Sequence, residues 1–409
     1  MKERNTLEKV IEKVSDDLEP EFYERRVRNA DWLLSRYATN PITDSTKIEG
    51  IENVLTLIKN GEPTIIAPTH FSLVDPFVSG LALWKGGDGQ VLRYAAGSNW
   101  YLPGLRQILK KGGCILTPRS GKKINREKII AYIKVLEERL DETNGGKSIP
   151  IWIAPQAGRS YDGKIDISPM VIGLYIGLAK EMFKRGKHLH VVPNNVMFDW
   201  SYDHFSIYWT NKFKDMKFKP LGKALYVGNE FGRYILGLLT KPKMYLHTNF
   251  SKPIDVTQMM IDHGLAEGKF KNQEKKLVIE QLSNELFEAL INDGMIFEQG
   301  LSAGIMGNFA AENSKEPQLL PIASYGKMDY SEAFELSNEW IEQIPERNRG
   351  PLLKGGLSES EFKKVFSPGF LDNVASIRRS KTEIEFYATK FAAQFRAEGF
   401  KQAFDLMVP

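Results

Sequence analysis

Thr64-Ile65-Ile66-Ala67-Pro68-Thr69-His70-Phe71-Ser72-Leu73-Val74-Asp75-Pro76-Phe77 is the stretch that decides how this chain is read. The apolar run Thr64–Ala67 predicts a buried strand. Asp75 followed by Pro76 predicts a helix start, with Asp75 as N-cap and Pro76 at the first helical position. His70 then falls in the strand-to-helix loop. A carboxylate at Asp75 can turn back to the imidazole and fix one ring nitrogen as a donor, so that the other takes a proton. That is a general base with its orienting acid and no protein nucleophile between them. The same two residues also suit a satisfied loop histidine and a simple helix cap.

Outward from this stretch, short apolar runs alternate with helical patterns. The strand candidates are Thr64–Ala67, Val91–Ala96, Cys114–Leu116, Ile149–Ala154, Leu189–Val196 and Met244–Thr248. The helix candidates are Pro76–Trp84, Leu102–Lys111, Asn125–Asp141, Met170–Lys184 and Asn272–Ile291. Strands separated by helices predict an α/β fold: a largely parallel, mixed sheet flanked by helices, with its site in loops beyond the strand ends. Helical additions are expected on both sides. Leu7, Val10, Ile11 and Val14 recur at helical spacing, and a second helical run, Phe22 to Tyr37, follows Pro20. Gly304, Gly307, Pro317 and Pro321 read as a linker or long loop, followed by helical runs at Tyr330–Ile344 and Ile384–Phe404, the latter with Phe391 and Phe395 on one face. The expected division is a helical N-terminal region at 1–48, an α/β domain at 49–300 and a mainly helical C-terminal region at 301–409.

Composition narrows the class. The chain has 409 residues, 42% hydrophobic and 26% charged, which excludes fibrous and largely disordered proteins. No apolar run reaches the roughly 18 residues of a spanning helix. A single cysteine, Cys114, excludes an internal disulfide framework and a multi-cysteine zinc site; within its apolar run it reads as a buried, inert thiol. The formal charge of +4 is too small to argue for nucleic acid but leaves room for a local basic patch facing an anionic partner. The first residues, MKERNTLEKVIEKVSDDLEPEF, resemble neither a secretory signal nor a transit peptide, so a cytoplasmic or already mature protein is expected.

Three further segments bear on chemistry. In Gly112-Gly113-Cys114-Ile115-Leu116-Thr117-Pro118-Arg119-Ser120-Gly121-Lys122-Lys123, a strand leads into a loop with three cations, Arg119, Lys122 and Lys123. Cations so placed suit a phosphate, and they equally suit a solvated loop. In Ile151-Trp152-Ile153-Ala154-Pro155-Gln156-Ala157-Gly158-Arg159-Ser160-Tyr161-Asp162-Gly163-Lys164, small residues around Gly158 let the backbone approach a ligand, with Arg159 and Lys164 close behind. Leu189-His190-Val191-Val192-Pro193-Asn194-Asn195-Val196 reads as a core strand or pocket wall. No Gly-x-Ser-x-Gly elbow, Walker-type loop or clear metal-ligand cluster is present, although His188 and His190 alternate on a strand at a spacing compatible with metal ligation.

Taken in order, His70-x4-Asp75, Gly113-x5-Arg119, the Gly158-Arg159 loop and the strand ending at Pro193 resemble the glycerolipid acyltransferase superfamily, and most of all its soluble, plastid-type glycerol-3-phosphate 1-O-acyltransferase branch. The resemblance covers roughly residues 45–260. It implies that His70 and Asp75 are catalytic, and that Arg119, Lys122, Lys123, Gly158, Arg159 and Lys164 bind substrate. The implied donor is an acyl carrier protein or coenzyme A thioester, the acceptor is glycerol 3-phosphate, and no metal or other cofactor is needed. Docking of an acidic acyl carrier protein and peripheral contact with a membrane are implied partners. The implied location is cytoplasmic, or the plastid stroma for a mature plant or algal form. The chain departs from the family pattern at Gln156-Ala157, where Glu-Gly is common, at Tyr161, where a second arginine is expected, and at Leu116-Thr117, where an aromatic is usual. Lys164 or the Lys122–Lys123 pair then takes over phosphate contacts. Lysophosphatidic acid or another lysolipid is the alternative acceptor. Two further alternatives are a catalytically weak acyl- or lipid-binding protein and a thioesterase.

Overall fold

The computed structural model describes residues 2–37, 48–72, 74–87, 89–97, 105–117, 126–157, 160, 164–198, 245–265, 272–297, 300–306, 323–366, 375–379, 383–389 and 400–407. Two compact units are formed, one from residues 1–159, 166–196 and 248–290, the other from 160–165, 197–247 and 291–409.

The first unit is α/β. Its helices are α1 Lys2–Val14, α2 Pro20–Tyr37, α3 Ile51–Lys59, α4 Asp75–Gly86, α5 Leu105–Lys111, α6 Arg126–Asp141, α7 Pro169–Lys184, α8 Val256–Asp262 and α9 Asn272–Asn292. The strands are β1 Thr64–Pro68, β2 Arg93–Gly97, β3 Cys114–Thr117, β4 Thr143–Asn144, β5 Lys147–Ser148, β6 Ile151–Trp152, β7 His190–Phe198, β8 Leu246–Phe250 and β9 Ile254–Asp255. The main sheet runs β3-β2-β6-β1-β7-β8, and β9 pairs with β7. β1 is parallel to both β6 and β7, and β2 is parallel to both β3 and β6, whereas β9 is antiparallel to β7. The expected largely parallel, mixed sheet with flanking helices is therefore present.

Central position explains the composition of β1. It is buried along its length, so it reads as an unbroken apolar run rather than an alternating one. Ile65, Ala67, Ile151, Ile153 and Val191 pack with Tyr132 and Leu136 of α6, Ile172, Tyr175 and Ile176 of α7, and Val278 and Leu282 of α9. The Tyr175 hydroxyl donates to the Ile153 carbonyl at 2.7 Å, which satisfies a polar group inside this core. Alternation sends Ile66, Trp152, Val192 and Asn194 to the opposite face, where Trp152 and Asn194 meet Ser79 of α4.

The N-terminal periodicity marks a packing face: Val14 is in this same core, with Val10 and Ile11 against it. A buried ion network fixes the chain just after α1. Asp16 accepts from Arg93 Nε at 2.9 Å and from Arg139 Nε at 2.6 Å, and Arg93 also bonds Glu142 at 3.0 Å. Asp16 and Arg93 are almost wholly buried.

In the second unit, the strands β10 Ala323–Asp329, β11 Ala375–Arg379 and β12 Glu383–Thr389 form an antiparallel sheet in the order β10-β12-β11. With it are helical residues 300–306, α10 Tyr330–Gln343 and α11 Glu359–Val365. The core includes Leu301, Met306, Met328, Ile341, Phe362, Phe366, Ile384 and Phe400. Two expectations are corrected. Ile384–Phe404 does not begin as a helix: Glu383-Ile384-Glu385-Phe386-Tyr387-Ala388-Thr389 is strand, paired on both edges, and that pairing overrides a local pattern that fits either period. The stretch from Gly300 is not simply linker either. Residues 300–306 are helical, and Gly304 has a packing reason, because a Cβ there would come within 2.4 Å of the Phe400 ring. Gly307, Pro317, Pro321, Phe391 and Phe395 lie outside the described residues.

Asp16→Ala leaves two guanidinium groups, one of them buried, without their shared carboxylate. The expected loss is about 3–5 kcal/mol of stability, read as a lower midpoint in urea unfolding at neutral pH.

Candidate active site

β1 ends at Pro68 and α4 begins at Asp75, so residues 69–74 bridge the carboxyl end of the central strand and the next helix. Asp75 is the first residue of α4, with Val74 at the N-cap and no side-chain cap there. The expectation that Asp75 caps the helix is thus corrected: its side chain turns back into the loop. Asp75 Oδ2 accepts from the amides of Phe71 and Ser72, each at 2.7 Å, and lies 3.1 Å from His70 Nδ1. Asp75 is wholly buried, whereas the His70 side chain keeps 15% exposure. Oδ2 of the buried carboxylate is met by two amides and a ring nitrogen of its own loop. With Nδ1 bonded to Asp75, the proton-accepting role falls to Nε2.

Neighbouring strands hold the loop from both sides. Thr69 N donates to Asn194 O at 2.9 Å, and Val196 N donates to Thr69 Oγ1 at 2.9 Å. From β6, the chain continues past Trp152 to Gln156, whose Oε1 accepts from the His70 amide at 3.1 Å. The Trp152 ring stands perpendicular to the imidazole, with centroids 5.0 Å apart and an interplanar angle of 88°. Ala157, next to Gln156, has φ +58°, the left-handed region that an L side chain resists. The Gln156-Ala157 departure thus carries two structural features: an acceptor on the His70 backbone and a strained turn.

Of the residues singled out by sequence, the structure brings His70 and Asp75 together. Lys164 is half-buried and belongs to the second unit. Arg119, Lys122, Lys123, Gly158, Arg159 and Tyr161 lie outside the described residues. Sequence reading did not assign Thr69, Ser79, Trp152, Gln156 or Asn194 to this neighbourhood. The available signal was a polar residue set into an apolar run: Ser79 within Phe77–Leu83 of α4, and Asn194, with Asn195, between Val192 and Val196 of β7.

At the far end of β7, His188 Nδ1 lies 2.7 Å from Asp255 Oδ2, and the His188 and His190 rings stack with centroids 6.5 Å apart. Among the described residues no group of three or more His, Cys, Asp or Glu side chains is placed to hold a metal ion. Cys114 is buried, and burial pushes its thiol up to about 11.

Residues 45–194 match the family model described as Acyltransferase. The matched segment runs from before α3 to Asn194 and contains the His70–Asp75 pair. No curated protein matches the chain. Among the described residues no helix is long and apolar enough to cross a membrane.

Two outcomes follow from this geometry. A thiol titrating near 11 stays protonated at pH 8, so a thiol reagent should leave native Cys114 unmodified and label one thiol per chain after unfolding in guanidinium. Ala157→Gly relieves about 1–2 kcal/mol of left-handed strain and loses about 0.5–1 kcal/mol to backbone entropy. The variant should therefore unfold at a slightly higher urea concentration than the parent.

Proposed function

We propose that this chain is a glycerol-3-phosphate 1-O-acyltransferase, moving a fatty acyl group from an acyl carrier protein or coenzyme A thioester to the sn-1 hydroxyl and giving lysophosphatidic acid. The observation that carries the reading is the His70 Nδ1–Asp75 Oδ2 pair at 3.1 Å, at the carboxyl end of the central strand and inside the segment matched by the acyltransferase model. His70 Nε2 takes the proton of the acceptor hydroxyl as that oxygen attacks the thioester carbonyl. Asp75 holds the ring and offsets the imidazolium charge. The tetrahedral intermediate then collapses, the carbon–sulfur bond breaks, and the imidazolium returns the proton to the leaving thiolate. Arg119 and Arg159, with Lys122, Lys123, Lys164 and the backbone at Gly158, are assigned to the acceptor phosphate on the resemblance of their motifs.

The test is free-thiol release from palmitoyl-coenzyme A and palmitoyl-acyl carrier protein, with and without glycerol 3-phosphate. Release that requires glycerol 3-phosphate and falls by about 10²- to 10⁴-fold in His70→Ala supports the proposal. Acceptor-independent release identifies a thioesterase. Release with lysophosphatidic acid alone moves the assignment to a lysolipid acceptor. Silence from folded protein with every acceptor overturns the enzymatic reading.

A further inference from the structure

Beneath His70 lies a connected set of buried polar side chains that take no part in the proton transfer. Trp152 Nε1 donates to Ser79 Oγ at 3.2 Å, and Ser79 Oγ donates to Asn194 Oδ1 at 2.7 Å. Asn194 Nδ2 in turn donates to Asn249 O at 2.7 Å and lies 3.3 Å from Thr248 Oγ1. Ser79 and Asn194 have no solvent exposure and Trp152 has 3%. The chain of bonds crosses four elements: β6, α4, β7 and β8.

A core needing only volume at these positions would use apolar residues, because each buried polar group must find a partner or destabilise the fold. Here the bonds have a direction: they start from an aromatic ring that stands against the imidazole. The bond to Asp75 fixes where His70 Nδ1 lies, and a hydrogen bond at one atom allows a ring to turn about that contact. A perpendicular indole at 5.0 Å, within the favourable range for edge-to-face rings, removes that freedom. The indole is useful for this only if it is itself held, and Ser79 holds its Nε1. Ser79 also lies one helical turn after Asp75 on α4, so one helix carries both the orienting acid and the clamp on the opposing ring.

We propose that Trp152, Ser79 and Asn194 act as a single positioning unit that sets the plane of the His70 imidazole. The inference rests on His70 being the general base of the proposed reaction. Trp152→Phe keeps a ring but deletes the N–H, and Ser79→Ala deletes the hydroxyl with little change in volume. Each variant should lower kcat roughly 10- to 100-fold, as small misplacements of a reacting group do, with KM for donor and acceptor held within about twofold. Because the bonds form one chain, the double variant should be no slower than the slower single variant. Unchanged kcat in folded variants, a raised KM at unchanged kcat, or losses that multiply in the double variant would overturn the proposal. Ser79→Ala carries the same test by itself if Trp152→Phe does not fold.

A second readout is independent of turnover. In the wild-type protein the His70 ring protons should carry a ring-current shift from Trp152, followed by NMR and assigned with His70→Ala. Ser79→Ala should reduce that shift; an unchanged shift would sink the positioning role even if the wild-type protein proved inactive on glycerol 3-phosphate.

Discussion

A carboxylate oxygen removed from solvent calls for donors, and the arrangement around His70 follows from how Asp75 Oδ2 meets that demand. Its Oδ2 draws in the Phe71 and Ser72 amides as well as His70 Nδ1. The loop is therefore wound around the same oxygen that orients the imidazole. Charge-assisted hydrogen bonds of this sort contribute about 1.5–3 kcal/mol each, enough to hold a short loop in one shape. Pro76 suits the arrangement, since its missing N–H leaves nothing unsatisfied at the start of α4.

The loop's surroundings are set by the sheet. β1 lies between β6 and β7, both parallel to it, so the carboxyl ends of all three strands converge. That convergence brings Gln156 to the His70 amide and Val196 to Thr69, across 86 and 127 residues of chain. Ligands of open α/β sheets gather in this region because it alone combines strand ends, helix starts and loops free to vary. The strained Ala157 sits there too, next to the residue that grips the His70 backbone.

Much of this was legible from residue patterns. The unbroken apolar run Thr64–Ala67 became β1, and Asn125–Asp141 and Met170–Lys184 became α6 and α7 within a residue at their boundaries. Long periodic segments are readable because burial of one face dominates their energetics. Ile384–Phe404 misled for the complementary reason: its first residues alternate in a way that suits either period, and only pairing with β10 and β11 settles them as strand. The two-residue strands of the β4–β5 hairpin, turning at Gly145-Gly146, are too short to register as a periodic signal.

By itself the sequence determined the α/β alternation, the loop that carries His70 and Asp75, and the buried character of Cys114, since each depends on neighbours a few residues apart. Only the tertiary structure decided that Asp75 faces its loop instead of capping α4, that Gln156 accepts from the His70 amide, and that Trp152, Ser79 and Asn194 meet under the imidazole. Those contacts join residues up to 115 positions apart. Their geometry comes from sheet order and register, which arise from the packing of the whole unit and leave no local periodicity to read.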